Sequence, residues 1–169
     1  DADGHVSTAR DIAIMSRELL KHKDITKYTT IWMDSLRDGK NSLVNTNKLI
    51  RFYQGATGLK TGTTDGAGAC LSASATRNGM DLIAVTMGSA NSDERFASAR
   101  KLLDYGFGNY AVYTPQVDRT KLLPVKVLRG VESGVAVEAP TLQGVVIPKG
   151  KEKEITQTLT MVNDVQAPV

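Results

Sequence analysis

Cysteine is almost absent from this chain: Cys70 is its one example. An internal disulfide framework is therefore excluded, and cysteine usage fixes no redox compartment. A lone cysteine in a run of small residues reads as a small buried hydrophobe. Histidine is nearly as scarce, with His5 and His22 alone. His5 stands near Asp1 and Asp3, but their spacing matches no metal-ligand pattern and the segment reads as a solvated loop. A Ser-His-Asp triad built on His5 has no supporting context, so neither a metal nor a cofactor is expected. No apolar run reaches the ~18 residues that read as a membrane span, and no basic stretch precedes an apolar one as in a signal peptide. The first residues, Asp1 to His5, read as the middle of a longer polypeptide, with no initiator methionine. Aromatic residues make up only 5%, and the net charge is a modest +3, from 21 Lys and Arg against 18 Asp and Glu. The basic residues are scattered, and the densest patch, Lys149 to Lys153, is diluted by Glu152 and Glu154. Nucleic-acid binding calls for a clustered basic stripe with interleaved aromatics, so no nucleic-acid partner is expected.

What is present is an ordinary globular composition, 41% hydrophobic and 23% charged over 169 residues. That length suits one modest domain, or one domain and part of another. A helix is expected over residues 7 to 22. Ser7 or Thr8 is placed to accept an orphan N–H at its start. Ile12, Met15 and Leu19 form an apolar stripe, and Lys21-His22-Lys23 sit at the negative end of the helix dipole. Residues 24 to 56 are less patterned: Tyr28 to Met33 has strand character, and Asp38-Gly39-Lys40-Asn41 reads as a turn. Gly58 to Thr63, Ala67 to Arg77 and Met80 to Gly88 then read as three antiparallel strands. Asn78-Gly79 joins the last two, because both positions tolerate positive φ. A second helix is expected from Ser92 to Phe107, capped by Asn91 or Ser92 and ended by Gly106 and Gly108. Beyond Tyr113-Thr114-Pro115 the segments 122 to 128, 135 to 138, 145 to 147 and 155 to 162 read as short strands of a β-rich module. The expected division is 1–110 and 111–169.

The string with most chemical content is Thr57-Gly58-Leu59-Lys60-Thr61-Gly62-Thr63-Thr64-Asp65. A phosphate-binding loop is excluded, because there Lys directly follows Gly, and here Leu59 intervenes. Lys60 by itself would be an exposed edge-strand lysine. In its context, on a strand followed by a hairpin sheet and a helix, Lys60-Thr61-Gly62 resembles the Lys-Thr-Gly strand of β-lactamases and penicillin-binding proteins. The likeness extends along the chain: His5 to Asp11, Asn45-Thr46-Asn47-Lys48-Leu49, Ala67-Gly68, Ser72 to Thr76, Met87-Gly88, Arg95 and Leu102 to Phe107 follow in the order found in the low-molecular-mass D-alanyl-D-alanine carboxypeptidases. It covers residues 1 to about 110. The tail is similar in placement to that family's second, β-rich domain.

The resemblance implies an α/β penicillin-binding transpeptidase-type fold, an antiparallel sheet flanked by helices, present as its C-terminal portion and followed by the start of a small all-β domain. It implies a serine-type hydrolase that removes the terminal D-Ala of peptidoglycan stem peptides outside the cytoplasm and is acylated by β-lactams. Lys60 would supply a compact positive charge to the substrate carboxylate, and Thr61 and Thr63 hydroxyls to bond it. Gly62 would leave room for a peptide laid along the strand. The Thr63 N–H would form half of an oxyanion hole, and Arg95 would be a second guanidinium near the carboxylate. Many relatives place His directly after Lys-Thr-Gly, where this chain has Thr63. The family's serine, lysine base and Ser-x-Asn loop lie upstream of the strand, so this chain is expected to lack them, and a separate chain is a candidate partner carrying them. Ser98-Ala99-Arg100-Lys101 and Ser89-Ala90-Asn91 match those motifs but lie downstream, in the reverse order. A cell-wall-binding module without enzymatic activity is the rival from another class. A β-lactamase or penicillin sensor is the rival within the fold.

Overall fold

A computed structural model describes residues 1–168. The chain divides into two compact units, one from Asp1 to Tyr110 and one from Ala111 onward.

The first unit opens with helix α1 (Ala9–Leu20). Thr8 starts it: its Oγ1 accepts the Asp11 N–H at 3.1 Å and donates to the Asp11 carboxylate at 2.8 Å. This reciprocal cap relieves a donor that the first helical turn cannot bond internally. The short helix α2 (Ile25–Thr29) follows, then a hairpin of β1 (Met33–Leu36) and β2 (Asn41–Val44), then the single turn α3 (Leu49–Phe52). The strand expected over Tyr28 to Met33 is corrected: its first part is helical, and pairing begins only at Met33. Tertiary bonds override the β-branched local preference there. Thr29 Oγ1 donates to the Thr57 carbonyl at 2.5 Å, and the Asn45 amide covers the Thr29 and Ile31 carbonyls. The turn does fall at Asp38–Lys40, with Arg37, Asp38 and Gly39 at positive φ. All eight residues of the β1–β2 ribbon are exposed, Met33, Leu36, Leu43 and Val44 among them.

Three antiparallel strands form the centre of this unit in the order β3-β4-β5: β3 (Ala56–Thr64), β4 (Gly68–Arg77) and β5 (Met80–Ser89). Asn78 (φ 50°) and Gly79 (φ 74°) make the two-residue turn that matches strand twist. Helix α4 (Ser92–Asn109) packs back on the sheet, with Asn91 Oδ1 accepting the Glu94 N–H at 2.9 Å as its cap. Phe96, Ala99 and Leu103 of α4 are buried, as are Leu71, Ala73 and Ala75 of β4. Each large apolar side chain buried in this way contributes about 1.5–3 kcal/mol. The expected helix end is also corrected, since α4 runs through Gly106 and Gly108 to Asn109. Gly106 serves packing: a Cβ there would lie 2.4 Å from Leu82 Cδ1.

The other face of the sheet carries Ser72 and Ser74 and meets α1. Contact there is made by the buried Ser16, whose hydroxyl bonds Ser72 at 2.7 Å. The predicted stripe of Ile12, Met15 and Leu19 instead lines an open apolar cavity of about 350 Å³, with Leu59, Val85 and Met87 opposite. At the far end of the hairpin the Arg77 guanidinium lies between two rings, 4.4 Å from Tyr53 and 4.6 Å from Phe107, and Arg77 Nε donates to the Gln54 carbonyl at 3.0 Å. Tyr53 in turn donates to Asp104 at 2.7 Å.

The second unit contains β6 (Tyr110–Tyr113) paired with β9 (Val145–Pro148), and a separate sheet in the order β10-β7-β8. Its strands are β7 (Val125–Leu128), β8 (Gly134–Val135) and β10 (Asp164–Gln166), with β10 parallel and β8 antiparallel to β7. Short strands fall at Val125–Leu128 and Val145–Pro148, inside or across the segments read as strands, whereas the strand expected over 135 to 138 is corrected to the two residues Gly134–Val135. The segment 155 to 162 forms no ladder; a 3₁₀ turn precedes it at Glu152–Glu154 and pairing comes later, at Asp164.

Candidate active site

Strand β3 is an edge strand: β4 pairs along one side, and no described strand pairs along the other. Side chains alternate across it. Lys60 emerges on the face that carries Ser72, its register partner, while Thr61 and Thr63 emerge on the opposite face. The sequence therefore places one cation and two hydroxyls around a single free backbone edge.

Each group is held differently. Lys60 is exposed, and its ammonium donates to the Thr61 carbonyl at 2.6 Å. The ion pairs among the described residues involve other side chains, so its charge meets no carboxylate there. Thr61 is buried, and its hydroxyl shares a 2.7 Å bond with Thr46. Gly62 stands in the open: a Cβ built on it would meet nothing within 4 Å. Its missing side chain thus leaves clear space beside the strand. Thr63 is exposed, and its Oγ1 accepts from Arg95 Nη1 at 3.1 Å.

Arg95 lies in the first turn of α4, where an exposed, solvated guanidinium is the ordinary outcome. Here it is only 7% exposed. Nη1 also donates to the Gly62 carbonyl at 3.1 Å and the Cys70 carbonyl at 3.4 Å, and Nη2 reaches Ser92 Oγ at 3.4 Å. Nε has no partner, and the group lies 5.0 Å over the Phe96 ring. A cation removed from water usually carries an acid partner. Arg95 has only neutral acceptors, so with Lys60 it gives the strand a positive field suited to an anion.

Sequence reasoning singled out Asn45-Thr46-Asn47 by likeness alone, and its physical role was missed. Thr46 bonds Thr61, and the fully buried Asn47 donates from Nδ2 to the Gly58 carbonyl at 2.9 Å, so this polar triplet stitches β3 in place. A cluster of short amides and hydroxyls just before an edge strand is the signal that carries it. Ser98 and Lys101 lie exposed on α4, while Asn91 is occupied as its cap. Asp1 accepts the Gly66 N–H at 3.1 Å. Among the described residues no group of three or more His, Cys, Asp or Glu is arranged to hold a metal.

A mixed α/β domain whose free edge strand carries Lys-Thr-Gly, backed by a buried arginine, has the fold of the penicillin-binding proteins. Residues 1–91 match the D-alanyl-D-alanine carboxypeptidase family of peptidases, and the chain belongs to it. It is 37% identical to the D-alanyl-D-alanine carboxypeptidase DacF of Bacillus subtilis, over 99% of this chain and 44% of that protein. It is 34% identical to DacC of Escherichia coli, over 95% of this chain and 40% of the relative. The chain thus spans less than half the length of these relatives. Among solved structures, penicillin-binding protein 5 of Haemophilus influenzae superposes with a TM-score of 0.72 at 30% identity, covering 99% of this chain and 49% of that one. Penicillin-binding protein D2 of Listeria monocytogenes, in its cefotaxime-bound form, gives a TM-score of 0.58 at 34% identity, covering 63% of this chain and 44% of that one.

Proposed function

We propose that this chain is the carboxylate-binding portion of a serine-type D-Ala-D-Ala carboxypeptidase. The enzyme removes the terminal D-Ala of peptidoglycan stem peptides through an acyl-enzyme, and its serine and lysine base come from polypeptide outside these 169 residues. The observation that carries the reading is the free edge of β3 with Lys60, Thr61 and Thr63 gathered around it and no acid among them.

Such an edge accepts an extended peptide as an added strand. The open space at Gly62 admits its backbone, the Lys60 ammonium attracts its C-terminal carboxylate, and the exposed Thr63 hydroxyl bonds that carboxylate, joined by the Thr61 hydroxyl as a second donor while Thr46 bonds its oxygen. The Thr63 N–H, aimed at the developing oxyanion, stabilises the tetrahedral intermediate. After the leaving D-Ala departs, water hydrolyses the ester. A β-lactam presents a carboxylate and an acylating carbonyl in one molecule, and it takes the same groups. Neighbours crystallised with cefotaxime and ampicillin favour this ligand class. The substrate places the enzyme outside the cytoplasm. No helix of the described residues is long and apolar enough to cross a membrane.

Labelling with a fluorescent penicillin, read on a denaturing gel, tests the reading. The 18.2 kDa chain alone should take no label. Combined with a serine-bearing portion it should direct label to that second band, and Lys60→Ala should slow labelling by about tenfold or more, since Lys60 provides charge preorganised for the substrate. Label on the 18.2 kDa band itself would overturn the assignment and turn attention to Ser98.

A further inference from the structure

We propose that Arg95 is a positioning residue for the Thr63 N–H: by holding the Gly62 carbonyl from the β4 side, it fixes the Gly62–Thr63 peptide with that N–H at the free edge of β3 and strengthens it as a donor. The proposal rests on the oxyanion role assigned to Thr63 above.

The argument begins with peptide geometry. The Gly62–Thr63 bond is not among the cis peptides, which are Gly58–Leu59 and Ala167–Pro168. In a planar trans peptide the C=O of one residue and the N–H of the next point in opposite directions. Arg95 Nη1 bonds both the Gly62 carbonyl and the carbonyl of Cys70, the residue paired with Gly62 on β4. The Gly62 oxygen is therefore turned toward β4, and the Thr63 N–H points the other way, to the side where no described strand lies.

Rotation of this peptide would swing the N–H inward and present a carbonyl to the developing oxyanion. Glycine at position 62 makes such a rotation sterically easy, so an external hold has a purpose here. The guanidinium supplies it from a buried position of its own, and a hydrogen bond from a charged donor is about twice as strong as a neutral one. Charge acting on the carbonyl oxygen also polarises the amide, and linked hydrogen bonds strengthen one another. The same nitrogen bonds Thr63 Oγ1. With that lone pair occupied, the hydroxyl hydrogen is directed elsewhere, free to be donated to a carboxylate. Arg95 thus reaches the substrate through two groups of the strand.

Magnetic resonance on the isotope-labelled chain tests the hold directly and needs no serine. Through-hydrogen-bond coupling is expected between an Arg95 Nη and the Gly62 carbonyl carbon. In Arg95→Met this coupling should vanish, and the Gly62 carbonyl and Thr63 amide resonances should move while those of Ser74 and Ala84 stay. Unmoved Gly62 and Thr63 resonances would overturn the proposal. Should Arg95→Met disturb Ser74 and Ala84 as well, Arg95→Lys decides by the same resonances: a single ammonium cannot reproduce the planar fork, so they should still shift, and their constancy would equally refute the hold. In the complex with a serine-bearing portion, Arg95→Met should slow penicillin acylation about tenfold to a hundredfold, up to the loss of one oxyanion donor, a larger effect than any rise in penicillin Kd from the lost positive charge. A raised Kd at unchanged acylation rate would make Arg95 a direct carboxylate ligand and overturn the positioning role. Failure of the unsubstituted complex to acylate would refute the proposed function instead, and the resonance result would still decide what Arg95 holds.

Discussion

Replacing Arg77 with alanine tests the clasp at the closed end of the sheet, far along β4 from the Lys-Thr-Gly segment. The guanidinium lies 4.4 Å from the Tyr53 ring and 4.6 Å from the Phe107 ring, and Nε donates to the Gln54 carbonyl at 3.0 Å. A cation over an aromatic face is worth about 0.5–1 kcal/mol when partly exposed and about 2 when desolvated. A hydrogen bond from a charged donor contributes about 1.5–3 kcal/mol. The three contacts share one side chain and its ordering entropy, so the loss should be about 2–3 kcal/mol, toward the lower end of their combined range. Urea unfolding followed by tyrosine and tryptophan fluorescence reads this as a lower midpoint at unchanged slope. Arg77→Lys should recover less than half of the loss, because an ammonium cannot stack between two rings. A loss below about 0.5 kcal/mol, the range of ordinary surface substitutions, would refute the view that this sandwich ties α3, the β4–β5 hairpin and α4 together.

Two further outcomes follow from the same region. The Tyr53 phenol is pushed up to about 12, first by burial and then by its bond to Asp104. Its folded-state value lies above the unfolded one, so its contribution to stability is complete below the ordinary tyrosine range near 10 and fades as pH rises through about 12. Unfolding curves between these pH values should therefore show a loss that is absent in Tyr53→Phe; equal pH dependence of the two proteins would refute the assignment. Gly55 adopts φ 78°, and a Cβ there would lie 2.4 Å from the Thr76 carbonyl oxygen. Gly55→Ala should destabilise by about 2 kcal/mol or more, since left-handed strain and a backbone clash add, and an unchanged melting temperature would contradict that geometry.

The three-stranded sheet and both long helices were legible because each advertised itself locally. Thr8 and Asn91 are caps, Asn78-Gly79 is a turn only a few dipeptides make well, and β4 and β5 are too small or too apolar to be anything but packed strands. Where the reading missed, longer-range contacts decided. Gly106 looked like a helix stop, yet its lack of a Cβ is used against Leu82 of β5, on the sheet face that α4 covers. Ile12, Met15 and Leu19 read as an apolar stripe on α1, yet the hydrogen bond from this helix to β4 is made by the hydroxyls of Ser16 and Ser72. In the proposed site, Lys60 to Thr63 stand out in the sequence through their motif. The burial of Arg95 and the bonds of Thr46 and Asn47 join residues 11 to 33 positions apart, a spacing that no local pattern encodes.

The β1–β2 ribbon has a consequence for how the molecule comes apart. Two short strands with every residue exposed hold each other by little more than their own ladder, and isolated hairpins of this kind are marginal in water. Opening it costs far less than opening the β3-β4-β5 sheet, so it forms a separate cooperative unit at the low end of the stability scale. The polar triplet Asn45-Thr46-Asn47 lies immediately after it and grips the Lys-Thr-Gly strand through Thr61 and Gly58. Opening of the ribbon would therefore stop at two side chains, Thr46 and Asn47, whose bonds hold β3 without drawing on the ribbon's own ladder.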